Sequence, residues 1–168
     1  MLLGRDDVLS LPDAPVQAGY SLRQYQAGDG PQWVELLTYG DFSEFNLEWF
    51  EGYIEGPERR ECSYVVVKDG VIIAATFASV QKGEAEVGKL DLVVNHPDHR
   101  GKGLGRVVCT AVLRHLAGRG YQKMILLTDD WRLPAIGLYL SLGFVPRMTH
   151  KDMPDRWDAI MQRLKSSR

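Results

Sequence analysis

The sequence predicts an α+β domain built on a central, mostly antiparallel sheet that contains one parallel pair of strands. Three observations carry that expectation. β-branched runs at 63–67 and 71–80 are joined by Lys68-Asp69-Gly70, and a third apolar run covers 86–94, which together read as an antiparallel meander. A glycine-rich segment after Val94 leads into a helix, because Leu104, Val107, Val108, Ala111, Val112 and Leu116 recur at the three- and four-residue spacing of one helical face. A second buried run, Lys123 to Thr128, follows that helix. A strand-helix-strand crossover of this length makes the two strands parallel.

The remaining elements follow in chain order. Residues 1–19 lack periodicity and contain Pro12 and Pro15, so they read as a tail or an arm laid on the surface, and residues 20–168 as a single domain. Tyr20 to Tyr25 alternates as a strand, and Gly28 to Pro31 turns into a helix bearing Trp33, Val34, Leu36 and Leu37 that Gly40 closes. From Asp41 to Ile54, Phe42, Phe45, Trp49, Phe50 and Tyr53 keep helical spacing among glutamates. Such a surface buries its aromatic face, or lines a pocket for an ammonium group drawn to rings and carboxylates. Lys82 to Glu84 makes a turn between strands, and Gly118-Arg119-Gly120 ends the long helix. Asp129 and Asp130 precede a helix whose first turn accommodates Pro134, and Gly143 ends it. Phe144 to Arg147 reads as a short strand and Trp157 to Leu164 as a last one, giving about seven strands and about four helices.

Composition narrows the function. Of 168 residues, 45% are hydrophobic and 25% charged, as in an ordinary globular protein, and the net charge of -2 offers nucleic acid no global attraction. No apolar run approaches the length of a membrane span and no signal-like segment opens the sequence, so a cytoplasmic location is expected. Cys62 and Cys109 cannot make a disulfide framework or a zinc site, and His96 and His99 lack a third ligand, so no metal is expected.

The centre of the sequence is the glycine turn. The first turn of a helix leaves backbone N–H groups unpaired at the positive end of the macrodipole, and so favours an anion. Gly101, Gly103 and Gly105 clear side chains from that spot, while Arg100, Lys102 and Arg106 add positive charge. A phosphate or diphosphate is the natural guest. The spacing is neither that of a P-loop nor that of a dinucleotide-binding fingerprint.

Arg100-Gly101-Lys102-Gly103-Leu104-Gly105, preceded by a strand and Pro97, resembles the acetyl-CoA-binding motif of the GNAT superfamily of acyl-CoA-dependent N-acyltransferases. Ala135-Ile136-Gly137-Leu138-Tyr139-Leu140-Ser141-Leu142-Gly143-Phe144 is similar to that family's second signature, in the expected order. The resemblance implies a GNAT-like sheet whose parallel pair splays, acetyl-CoA as co-substrate, and transfer of its acetyl group to a primary amine of a small molecule or peptide in a ternary complex. It also implies that Arg100, Gly101, Lys102, Gly103, Leu104, Gly105 and Arg106 hold the diphosphate. Val93, Val94 and Asn95, where Pro97 helps end regular pairing, would then meet the amides of pantetheine, and one N–H there would face the developing oxyanion.

Tyr139 matches the tyrosine that protonates the departing thiolate, a role suited to a phenol still protonated at neutral pH. Glu44, Glu48, Asp91 and Asp129 are all possible bases for the amine. Arg132 stands where many relatives carry an asparagine that bonds the cofactor. Two other readings are a non-catalytic acyl-CoA-binding module and a transferase with a longer acyl donor.

Overall fold

Where β-branched and small apolar residues run together the chain forms strands, and where they recur every three to four residues it forms helices. The computed structural model describes residues 1–40, 42–81, 83–84 and 86–166. The strands are β1 (Leu2–Gly4), β2 (Ser21–Gln24), β3 (Tyr64–Lys68), β4 (Val71–Val80), β5 (Val87–Asn95) and β6 (Lys123–Ile125). The helices are α1 (Arg5–Leu9), α2 (Gly30–Thr38), α3 (Leu47–Ile54), α4 (Pro57–Cys62), α5 (Leu104–Gly118), α6 (Leu133–Ser141) and α7 (Met153–Ser166).

The described strands form one sheet in the order β1-β6-β5-β4-β3-β2, antiparallel throughout except for β5 and β6. Asp69 and Gly70, both at positive φ, make the hairpin turn between β3 and β4. One face is covered by α2 and α3 through Trp33, Leu36, Leu37, Phe50 and Ile54, packed on Phe77, Ala75 and Val94. The other is covered by α5, with Val8 of α1 and Leu142 after α6 joining its cluster. Trp33 stacks on Phe77 with ring centroids 4.2 Å apart.

Two features of β5 shape the site. Its parallel ladder with β6 stops at Lys89 and Ile125, so beyond it Leu90, Asp91, Val94 and Asn95 pair with β4 alone and the two strands diverge. Within the divergent part the register shifts between Ala75 and Phe77 of β4, and Leu92 takes a φ of 47°, in the left-handed region that a leucine rarely adopts, the mark of a strained bulge.

Several expectations need correction. Trp157 to Leu164 is not a strand but part of α7, because Trp157, Ile160 and Leu164 follow a helical period, and only Ile160 is fully buried. Phe144 to Arg147 reduces to a single bridge between Val145 and Leu2. Residues 1–19 supply an edge strand and a helix packed on α5, elements too short to leave a period in the sequence. The aromatic stretch becomes helical only at Leu47, where the Asn46 side chain accepts from the Trp49 N–H at 2.8 Å. Asp41 and Lys82, part of the expected helix and turn, lie outside the described residues.

Candidate active site

The glycine turn is built by backbone conformation. After a short 3-10 turn at Pro97–His99, Gly101 and Gly103 adopt φ of 75° and 74°, which L side chains rarely tolerate, and a β-carbon on either would meet nothing within 4 Å. Gly103 caps α5 without a side-chain hydrogen bond. Among the described residues, no protein group accepts from the amides of Gly101 to Arg106. The space beside Gly101 and Gly103 is open, and unpaired donors at a helix start suit an anion.

That space continues into a cavity of about 530 Å³ lined by Val93, Val94 and Asn95 from β5, by Arg100, Gly101, Gly103, Leu104, Gly105 and Arg106 from the turn and α5, and by Leu138 of α6. Nine of the expected site residues therefore meet around one opening, at the end of β5 beyond its ladder with β6. Gly105 lets α5 approach β5, since a β-carbon there would lie 2.9 Å from Asn95 Nδ2 and 3.2 Å from Leu138 Cδ2. Asn95 Oδ1 is buried without a hydrogen-bond partner, an arrangement that is costly unless a ligand amide donates to it. These residues fit acyl-CoA: amides for a diphosphate, an acceptor and a free strand edge for pantetheine.

The three cations are tethered on different sides. Arg100 Nη2 donates to Tyr39 O at 3.1 Å, and Arg106 Nη2 donates to Ser141 O and Oγ at 2.9 and 2.7 Å. Lys102 does not line the cavity; its Nζ donates to the Tyr20 hydroxyl at 3.1 Å, and that hydroxyl also bonds His99 Nδ1 at 2.7 Å. Tyr139 stands behind the wall formed by Ala135 and Leu138, only 6% exposed, with Phe144 edge-on to its ring. Burial first, and then nearby Cys109, push its phenol well above the ordinary value. Both cysteines are buried; desolvation pushes Cys62 up to about 11 and Cys109 still higher, so neither is a thiolate nucleophile at neutral pH.

The four candidate bases separate clearly. Glu44 and Glu48 are exposed, and Asp129 is an exposed partner of Arg132. Asp91, directly before the bulge, has its Oδ2 held by the Tyr53 hydroxyl at 2.7 Å, by Lys89 Nζ at 3.0 Å and by Ser79 Oγ at 3.3 Å. Tyr53 ends a file of stacked rings, Phe42, Phe45, Trp49 and Tyr53, with successive centroids 6.1, 3.9 and 4.6 Å apart.

Sequence reasoning missed Tyr39, Gly40, Trp131 and Arg132 as cavity residues. Only Arg132 carried a signal, its departure from the asparagine of the resembled motif. Tyr39 and Gly40 arrive from the end of α2, remote in sequence.

The comparisons with known proteins agree with this geometry. Residues 23–144 match the model of the acetyltransferase (GNAT) family. Mycothiol acetyltransferase from Streptomyces coelicolor is 28% identical over 158 residues, covering 84% of this chain and 48% of that protein. The enzyme of the same name from Thermobispora bispora is 37% identical over 145 residues, covering 80% and 49%. The chain thus spans about half the length of these curated relatives. A GCN5-related N-acetyltransferase structure from Sphaerobacter thermophilus superposes with a TM-score of 0.66 at 20% identity, over 84% of this chain and 45% of that one, and shares the fold. A family match across most of the chain, on a sheet that opens beside a glycine turn, makes this chain a member of the GNAT family of N-acetyltransferases, which use acetyl-CoA.

Proposed function

We propose that this chain transfers the acetyl group of acetyl-CoA to a primary amine by direct attack in a ternary complex. Residues 20–168 act as one catalytic domain whose sheet is completed by the segment 1–19. The observation that carries this reading is the cavity at the end of β5, beyond its ladder with β6, beside the unpaired amides of Gly101 to Arg106.

In this reading the turn binds the diphosphate, and the free edge of Val93 to Asn95 aligns pantetheine, with Asn95 Oδ1 accepting from it. The amine nitrogen attacks the thioester carbonyl, the carbon-sulfur bond breaks, and the thiolate needs a proton. Tyr139 supplies it, kept protonated by its burial. The amine must lose a proton as well. Holding a lysine-like group neutral at pH 7 costs about 5 kcal/mol, and Asp91 is the carboxylate placed beside the bulge to take that proton, directly or through water.

The test is release of free thiol from acetyl-CoA over a panel of small amines and peptide amino termini. Turnover with at least one acceptor supports the transferase; binding of acetyl-CoA without turnover across the panel supports a second reading, an acyl-CoA-binding module, which the absence of Tyr139 from the cavity wall favours.

A further inference from the structure

Arg132 stands at the foot of α6 and lines the same cavity as the glycine turn. Its guanidinium is flanked by two rings, with Cζ 4.7 Å from the centroid of Phe42 and 4.4 Å from that of Trp131. Nε donates to Asp129 Oδ2 at 3.1 Å, and Nη1 donates to Gly40 O at 2.9 Å. The side chain is 18% exposed, whereas that of Asp129 is 62% exposed, so solvent screens the carboxylate more than the guanidinium. Nη2 has no partner among the described residues.

A guanidinium lying over aromatic rings keeps its donors in its own plane, where a planar carboxylate can accept two of them at once. The sequence puts this fixed charge where the resembled motif has a neutral amide. The diphosphate already has its own donors in the glycine turn, and Asp129 and Gly40 engage only Nε and Nη1 of Arg132, which leaves Nη2 for a second anion. The ring of Phe42 begins the stacked file whose far end, Tyr53, holds Asp91, so one aromatic surface runs from Arg132 to the carboxylate proposed as base. Its charge also reaches the Tyr139 hydroxyl, whose ionisation it favours against the effect of burial.

We propose that Arg132 recognises a carboxylate carried by one of the two reactants, the acceptor amine or the acyl group. This rests on the transferase reading above. It deepens it by naming the substrate class: an amino acid or other ω-amino carboxylate as acceptor, or a dicarboxylic acyl-CoA as donor.

The test uses matched probes. For the acceptor, the ω-amino acids from β-alanine to 6-aminohexanoate are titrated by calorimetry into protein saturated with CoA, each beside its carboxamide, and then assayed for turnover with acetyl-CoA. For the donor, succinyl-CoA is titrated beside butyryl-CoA, its near-isosteric neutral counterpart. Charged hydrogen bonds predict that one arm favours the acid about 10- to 100-fold. Arg132→Gln should abolish that preference while leaving the affinity for CoA and for the neutral probe within about threefold, and Arg132→Lys should restore only part of it.

Equal affinity for acid and neutral probe in both arms would overturn the proposal. So would an Arg132→Gln variant that weakens CoA itself to the same extent, since Arg132 would then be a cofactor contact. Because both arms read binding, a protein that binds an acid selectively but never turns over sinks the transferase reading and leaves only carboxylate recognition by Arg132.

Discussion

The carboxamide of Asn95 and the bare α-carbon of Gly105 are fitted to one another across the base of the cavity: a β-carbon on residue 105 would sit 2.9 Å from Asn95 Nδ2. Gly105→Val should push Asn95 and Leu138 aside. Overpacking of this kind costs about 1–3 kcal/mol, partly offset by better helix propensity. The expected result is a lower urea midpoint together with loss of the acyl-CoA response. An unchanged response would separate Asn95 from cofactor binding.

Gly103 gives a cleaner experiment. Its φ of 74° should cost an alanine about 1–2 kcal/mol, with no steric clash, because nothing lies within 4 Å of the added carbon. Gly120, at φ of 96° just past the opposite end of α5, has comparable backbone strain and likewise nothing within 4 Å. Thermal melts should show both alanine variants several degrees less stable, at about 2–4 °C per kcal/mol for a chain of this size. Only Gly103→Ala should lose acetyl-CoA affinity, by tenfold or more.

What the sequence revealed and what it hid have a common physical basis. The turn from Arg100 to Gly105 was legible because its chemistry is local: glycines, cations and a helix start are contiguous. Trp157 to Leu164 was misread because its helical period is carried by Trp157, Ile160 and Leu164 alone, of which only Ile160 is fully buried. The strand Leu2–Gly4 left no pattern in three residues, and its partner is Lys123–Ile125. Arg132 was conspicuous as a departure, yet its contacts with Gly40 and Phe42 join residues about ninety positions apart. Asp91 stood out from three other carboxylates only once Tyr53, Ser79 and Lys89 were placed around it.

Tyr139→Phe tests the proton donor. Removing the hydroxyl should lower kcat about 100-fold or more while the KM for acetyl-CoA stays within about threefold. Its ionisation also makes a stability prediction with a definite sign. The native state holds the neutral phenol above its unfolded pKa of about 10. Its contribution is fully present below pH 10 and is lost as the pH rises from there towards the native value. Urea midpoints between pH 9 and 11 should fall less steeply for Tyr139→Phe than for the parent. Parallel curves would mean that the phenol is not held in its neutral form.

Asp91→Asn keeps the side-chain shape beside Tyr53 but removes the charge opposite Lys89. Both side chains of that pair are about four-fifths buried, so removing the charge leaves Lys89 largely desolvated, and the stability loss should be about 1–3 kcal/mol. The rate with an amine acceptor should fall 10-fold or more at pH 7 and recover in part at higher pH, where more of the amine is neutral without help. A variant with full activity and an unchanged pH profile would remove Asp91 from the reaction.

The most direct measurement is the thermal midpoint of the purified chain titrated with acetyl-CoA. Unpaired amides at the glycine turn predict a saturable rise: a ligand at 100 times its dissociation constant contributes about 2.7 kcal/mol, with no comparable effect from ATP or NADH. A midpoint that stays flat with acetyl-CoA, or that rises equally with all three, would contradict the assignment of this turn and of everything built on it.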